Sequence, residues 1–279
     1  MPRVRGWVEE RLRPFETLLQ RLVSVGFVST GVVLAAQTFL ALFPLLIAVS
    51  ALLPPGAAAS VENTMRERFG ISGETDQAVQ HLVGSREDLR GGISAIGVIV
   101  VLASATSFTR ALQRTYELAW DLPKAGLRGS VRGLVWLVSL VAYVTVLGTA
   151  VRLAGSSPPG TVLRTVLVVA GSVLLWWWTP YLLLLGRVRA RALLPGGLIT
   201  AGALLVLGAV GSVVVPRTVR TNERQFGTIG VVFAIESWLV VIACTIVGCA
   251  VVAAVLVQTD GPLGRLARGT AEVDGWRRA

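Results

Sequence analysis

Residues 28–53 read VSTGVVLAAQTFLALFPLLIAVSALL, and this stretch decides the fold class. It contains no charged side chain, and no basic residue occurs between Arg21 and Arg66. An α-helix rises about 1.5 Å per residue and the hydrocarbon layer of a bilayer is about 30 Å thick, so roughly 20 apolar residues complete one crossing. The stretch is therefore long enough to span a membrane.

Five further apolar stretches follow, at residues 92–108, 134–153, 163–185, 192–215 and 228–257. Because backbone polar groups find no water inside lipid, segments of this length must be helical. We predict an all-α polytopic membrane bundle with six transmembrane helices, which occupies residues 28–257. The second stretch is short and polar at its end, so five helices are the alternative.

The composition supports this prediction. A hydrophobic fraction of 53%, a mean hydropathy of +0.70 and 15% charged residues give more apolar surface than one soluble core of 279 residues could bury. The net charge of +10 comes from 26 basic and 16 acidic residues. Basic loops facing anionic lipid explain this charge better than nucleic-acid binding does, so we expect no nucleic-acid partner.

The distribution of arginine and lysine predicts the orientation. If the amino terminus is cytoplasmic, the inner segments hold 17 basic residues and the outer segments hold nine. Basic residues concentrate in cytoplasmic loops, so both termini are expected in the cytoplasm and the protein in the plasma membrane. Anionic lipids of the inner leaflet are the expected partners of the basic loops.

Three segments lie outside the predicted spans. Residues 1–27 place Val8, Leu12, Phe15, Leu19 and Leu22 at helical spacing between charges, which predicts an amphipathic helix at the inner membrane surface and not a cleavable signal peptide. The alternative is a helix packed under the bundle, and the two are compatible. Residues 54–91 contain helix-cap signals and predict a short helical cap on the outer face. Residues 258–279 are expected to form a cytoplasmic tail.

The chain carries few residues that could support catalysis. Its one histidine, His81, has no nearby histidine or cysteine, and Cys244 and Cys249 fall on different faces of one helix. No phosphate-binding loop and no nucleophile elbow occurs. We therefore expect no enzymatic activity, no metal site and no cofactor.

Polar residues within the spans are the candidate functional residues. Glu236 lies about nine residues into the sixth span, where a carboxyl group costs several kcal/mol unless it is neutralised, paired or wetted. It is a candidate cargo-binding or coupling group, and the alternative is a protonated or locally hydrogen-bonded carboxyl near the outer interface. The candidate neighbours along a pathway are Gln37, Thr38, Ser104, Thr106, Ser107 and Arg110.

Two prolines fall inside predicted spans. Pro44 and Pro180 lack a backbone donor and are predicted to bend the first and fourth helices. Bent helices can frame a cavity, although they also occur in ordinary membrane bundles.

The order of several motifs resembles the YihY/BrkB family of inner-membrane proteins. The first is AAQTFLALFPLLIAVSALL at residues 35–53, and it is followed by SATSFTRAL before Trp120, by LLPGGLITAG in the fifth span and by FGTIG ahead of Trp238 in the sixth. Family members commonly carry Gly-Ala-Glu near the end of the last helix. Here Gly248, Cys249 and Ala250 stand at that place, so the acid of the family pattern is absent.

The resemblance implies an envelope protein that supports envelope integrity, and the expected activity is transport or export of a lipid or another amphiphile. The alternative is a structural or interaction protein of the envelope. Older usage calls family members ribonuclease BN. A ribonuclease would need an acid/base pair or metal-binding carboxylates on an exposed cytoplasmic face, whereas the cytoplasmic segments here are mainly arginine.

Overall fold

The computed structural model describes residues 16–52, 95–155 and 157–259. These residues form six α-helices: α1 Glu16–Val25, α2 Phe27–Leu52, α3 Ala95–Ala119, α4 Leu127–Leu153, α5 Pro158–Leu183 and α6 Ala190–Gln258. The all-α prediction is confirmed for this part of the chain. The predicted outer cap, residues 1–15 of the amino-terminal segment and the tail after residue 259 lie outside the described residues.

Three of the described helices are long and apolar enough to cross a membrane. They are α4 over Val131–Leu153, α5 and α6, and α1 with residues 27–42 of α2 makes a fourth if the bent pair counts as one span. The pair bends by 47° at Gly26, whose φ of 63° favours glycine. The chain is therefore a helical membrane protein.

α6 is interrupted at Gly227, where φ is 61° and ψ is −145°. Only glycine adopts this backbone conformation without strain, so the chain reverses there and α6 consists of two arms, residues 190–226 and 228–258. A side-chain carbon added to Gly230 would overlap the carbonyl of Asn222, and one added to Gly211 would lie 2.5 Å from the indole of Trp238. The two arms form an antiparallel hairpin.

The helices extend beyond the predicted spans. α3 continues past residue 108 to Ala119, because Leu112, Tyr116 and Ala119 remain buried at helical spacing. α4 begins at Leu127, ahead of the apolar stretch predicted to start at residue 134. Hydropathy identifies only the apolar part of a helix. Burial against other helices allows the helix to continue beyond that part.

The chain divides into two compact units. One consists of Met1–Val32, Thr109–Leu204 and Cys244–Ala279, and the other of Val33–Phe108 and Leu205–Ala243. In the first unit the largest buried side chains include Trp120, Leu183, Leu193 and Val251. In the second unit a core cluster joins the arms of α6 and consists of Val215, Val219, Val231 and Ala234, with Ile235 and Trp238 packed against it.

Glycine allows close helix packing within the first unit. A side-chain carbon at Gly31 would lie 2.5 Å from the sulfur of Cys244, and one at Gly197 would lie 2.9 Å from the backbone of Trp177. Cys244 is half-buried and Cys249 is buried, and both are free thiols. Their surroundings agree with a role in packing.

Candidate functional site

α4 and α5 form an antiparallel hairpin, and the sequence explains where it turns. Gly155 adopts a φ of 70° after α4 ends, which allows the chain to leave the helix in the left-handed region. The hydroxyl of Ser157 then accepts a hydrogen bond of 3.3 Å from the backbone N–H of Gly160, and prolines occupy the first positions of α5. An oxygen cap followed by proline is typical of a helix start.

A groove of about 650 Å³ runs between α4 and α5. Its α4 wall spans Trp136 to Ala150 and its α5 wall spans Leu167 to Trp178. At 1.5 Å per residue these walls are roughly 20 Å and 16 Å long. The groove has the volume of a small-molecule site, but it is elongated along the membrane-crossing direction of its helices.

The lining is almost wholly hydrocarbon. The lining residues are Trp136, Ser139, Leu140, Ala142, Tyr143, Val146, Leu147, Ala150, Leu167, Ala170, Gly171, Leu174, Leu175 and Trp178. The hydroxyl of Ser139 donates to the backbone carbonyls of Val135 and Trp136, at 3.0 and 2.9 Å. The indole N–H of Trp136 donates to the hydroxyl of Thr179 at 3.1 Å. These two donors are already bonded, and the remaining side chains of the lining are hydrocarbon apart from the Tyr143 hydroxyl and the Trp178 indole N–H, so the groove is suited to an apolar chain.

The groove opens on a surface of α4 and α5 that the described residues leave uncovered. Only 6% of the most apolar part of α4 and 17% of that of α5 is buried by the described residues, compared with 56% for α6. Large apolar side chains such as Val138, Val146 and Val162 are more than 60% exposed. In a membrane protein such a surface faces lipid or a partner of similar polarity.

A buried carboxylate joins two turns in the same compact unit. Glu117 of α3 is 3% exposed and accepts hydrogen bonds from the Arg187 guanidinium at 2.9 Å, from the Gln113 amide at 3.0 Å and from the Ala125 backbone N–H at 2.9 Å. Arg114 approaches it at 3.6 Å. The carboxylate therefore has several charge-assisted partners, as a buried ion requires.

Arg187 extends this network to the backbone of both turns. Its guanidinium donates to the carbonyl of Pro123 at 2.6 Å and to that of Leu184 at 3.1 Å. The turn after α3 and the turn after α5 are thus held by one ion pair. The hydrogen bonds of the Arg187 guanidinium are made to groups of the protein itself. This favours a role in positioning the two turns.

Glu117 is not among the residues predicted from the sequence, because it lies in a charged segment between two predicted spans. The signal that could have found it is the helical spacing of Leu112, Tyr116 and Ala119, which continues the apolar face of α3 past Arg110. This spacing indicates that Glu117 is buried, whereas its partner Arg187 lies 70 positions away along the chain.

Some of the polar residues predicted to line a pathway in the first two spans contact each other. The hydroxyl of Ser107 in α3 donates to the amide oxygen of Gln37 in α2 at 2.6 Å. Thr38 instead donates to the Leu34 carbonyl of its own helix at 2.7 Å. Ser104 and Thr106 are half-buried and Arg110 is exposed. Two of the predicted pathway residues, Gln37 of α2 and Ser107 of α3, are therefore joined by a hydrogen bond.

Glu236 lies on the carboxyl-terminal arm of α6 and is half-buried. Its Oε2 atom is buried, and among the described residues it has no hydrogen-bond partner. A buried carboxyl oxygen without a partner is costly, and each such group in a native protein calls for a specific explanation. Its role in a pathway remains a prediction.

The two prolines occupy different positions in their helices. Pro44 lies inside α2, and Pro180 lies in the last turn of α5, where it is buried and its carbonyl accepts from the backbone N–H of Leu184 at 2.9 Å. The observed bend of the first span is at Gly26. Bends at the prolines stay predictions.

Among the described residues, no group of three or more His, Cys, Asp or Glu side chains is placed to hold a metal ion. In the comparison with protein families, the model described as virulence factor BrkB matches residues 12–272. The chain belongs to the BrkB family. The match includes the groove, the Glu117 network and Glu236 of this BrkB protein. Comparisons with curated proteins and with solved structures find no match.

Proposed function

We propose that this BrkB protein moves an amphiphilic component of the envelope across the plasma membrane, with the hydrocarbon part of the cargo in the α4–α5 groove. The observation that carries the proposal is the groove itself, an open apolar groove of about 650 Å³ whose lining is almost wholly hydrocarbon. Family membership and the resemblance to envelope proteins support it.

The proposal includes a topology of six spans with both termini in the cytoplasm. The two arms of α6 support the fifth and sixth spans, because each is long enough to cross a bilayer and they meet at Gly227. On α1, Leu19 and Val23 are 47% and 80% exposed one turn apart, which suits a helix at the membrane surface. The 17 basic residues of the inner segments support the orientation.

We propose further that the protein acts without catalysis and does not cleave RNA. Glu117, the buried carboxylate of the described part of α3, is held by internal partners and not directed towards a substrate. The direct check is incubation of purified protein with structured RNA, with and without divalent metal. Cleavage that copurifies with the protein would contradict the proposal.

A lipid-translocation assay tests the main proposal. The full-length protein is reconstituted into liposomes that carry phosphatidylglycerol with a fluorescent label, and dithionite bleaches the label from outside. Empty liposomes lose only the outer half of the signal. Liposomes with the protein should lose more, either spontaneously or under an imposed proton gradient.

Groove-filling variants connect the assay to the structure. Ala142 and Ala170 line the groove and are exposed, so Ala142→Trp and Ala170→Trp place an indole in it. The matched controls are Val144→Trp and Val169→Trp, which are exposed neighbours on the same helices outside the lining. The groove variants should reduce translocation and the controls retain it. Bleaching equal to that of empty liposomes for the unmodified protein under both conditions would overturn the proposal.

A further inference from the structure

The face of α4 that lines the groove also carries an arginine, one turn beyond the end of the groove. Residues Arg132, Trp136, Ser139 and Tyr143 are spaced by four, three and four positions, which places them on one stripe of the helix. Trp136, Ser139 and Tyr143 line the groove, and Arg132 lies one turn, roughly 6 Å, beyond Trp136. Arg132 is exposed, so a positive charge lies at this end of the α4–α5 groove.

We propose that Arg132 binds the phosphate of an anionic phospholipid whose acyl chain lies in the α4–α5 groove. The proposal rests on the function proposed for the groove and deepens it, because it names the class of cargo and the residue that selects it. Arginine suits this task, since its planar guanidinium donates two parallel hydrogen bonds to phosphate oxygens.

Selection must come from the headgroup. Lipid tails are as apolar as the leucine and valine side chains of the groove, so a chain that leaves the bilayer for the groove gains little beyond van der Waals packing. A headgroup with a net negative charge gains more electrostatic attraction beside Arg132 than a zwitterionic one, because the ammonium of a zwitterionic lipid offsets the charge of its phosphate. The arginine therefore discriminates between lipids that carry identical tails.

The groove determines how the lipid lies. The lining carries no charged side chain along the roughly 20 Å of the α4 wall, so the charged headgroup stays at the Arg132 end while the chain enters. One leaflet contributes about half of the 30 Å hydrocarbon layer, and a chain of that length fits along the wall. Free phosphate would lose the contact with the groove, which favours the lipid as occupant.

Aromatic side chains mark the same end of the groove. Trp136 and Trp178 line it there, and the ring of Trp178 lies 5.7 Å from that of Tyr181. Tryptophan and tyrosine concentrate at the level of lipid headgroups. Arg132 and these rings thus form an interfacial site, which the proposed topology places in the inner leaflet.

Photo-crosslinking of defined lipids tests the site. The full-length protein is placed in phosphatidylcholine nanodiscs with a trace of phosphatidylglycerol that carries a diazirine in its acyl chain, and labelled peptides are identified by mass spectrometry. The same diazirine on phosphatidylcholine is the comparison probe. We expect phosphatidylglycerol to label the segments around Ala142 and Ala170 about fivefold more strongly.

Substitutions distinguish a specific effect of Arg132 from a general effect of positive charge on lipid labelling. Arg132→Gln should lower phosphatidylglycerol labelling to the phosphatidylcholine level, and Arg132→Lys should retain part of it. Arg220→Gln removes the same charge at an exposed position of α6 and should change nothing. Excess inorganic phosphate should not compete.

Three results would overturn the proposal: equal labelling by the two lipids, which indicates annular lipid only; unchanged labelling in Arg132→Gln; or loss of labelling with free phosphate. The test requires no movement of lipid. Selective labelling without translocation would therefore count against the proposed function alone, and translocation without selective labelling would count against the Arg132 site alone.

Discussion

At the scale of single residues, two carboxylates have opposite surroundings. Glu117 is buried with four partners, whereas Glu236 has a buried oxygen without a partner among the described residues. Their physical roles should differ accordingly. A satisfied buried ion fixes local structure, while an unsatisfied group is costly unless function retains it.

Removing the Glu117 carboxylate should destabilise the protein. Glu117→Ala leaves Arg187 and Arg114 without their anionic partner and frees the turn after α3, so the free energy of unfolding should fall by roughly 3 kcal/mol. Thermal unfolding in detergent, followed by tryptophan fluorescence, measures the loss. Glu16→Gln on exposed α1 is the control and should stay within about 0.5 kcal/mol of the unmodified protein. An equal Tm for both variants would contradict the assigned role.

Glu236→Gln should separate folding from activity. The substitution keeps the shape of the side chain and removes its charge, so the amount of folded protein should be unchanged. If the carboxylate contacts cargo or couples movement, translocation should fall to the level of empty liposomes. Normal translocation at normal abundance would remove Glu236 from the mechanism.

At the scale of elements, the α6 hairpin depends on small residues at defined positions. Gly211 faces the indole of Trp238 across the two arms, whereas a side-chain carbon at Gly208 would meet nothing within 4 Å. The two glycines lie about one turn apart on the same arm. Only the first is required by packing.

Alanine at these two glycines should therefore have opposite effects. Gly211→Ala forces the arms apart or displaces Trp238 and should cost about 1–3 kcal/mol of stability. Gly208→Ala should be neutral or stabilise by about 0.5–1 kcal/mol, because alanine favours the helix. Unfolding of both variants in one detergent gives the comparison. Destabilisation of equal size would show that the hairpin does not pack at Gly211.

The sequence predicted the elements better than the contacts between them. Hydropathy found the apolar part of each helix, but it placed the end of the second span at residue 108, where α3 continues to Ala119. It did not predict the bend of 47° at Gly26. Continuation and bending depend on burial and on backbone dihedral angles, which composition does not specify.

At the scale of the whole molecule, the proposed orientation is open to direct test. Lys124 and Gln225 are both exposed, and the six-span topology places them on opposite sides of the membrane. Single cysteines are introduced at each position after Cys244 and Cys249 are replaced by alanine. A membrane-impermeant maleimide should label Gln225→Cys in intact cells and Lys124→Cys only after permeabilisation. Labelling of Lys124→Cys from outside would reverse or refute the topology.

The sequence by itself determined the class of this protein. Runs of apolar residues such as 28–53 are incompatible with water and require helices in lipid, and this conclusion depends only on composition and length. The same reasoning identified Gln37 and Ser107 as polar groups at membrane depth, and the structure joins them by a hydrogen bond.

Only the tertiary structure decided where the candidate sites lie. The α4–α5 groove is formed by the facing sides of two helices, and the Glu117–Arg187 pair joins residues 70 positions apart. Neither feature is encoded in a local pattern, because each exists only when distant segments pack together. Hydrophobicity therefore selected the environment of the chain, and the packing of helices within it created the surfaces on which function depends.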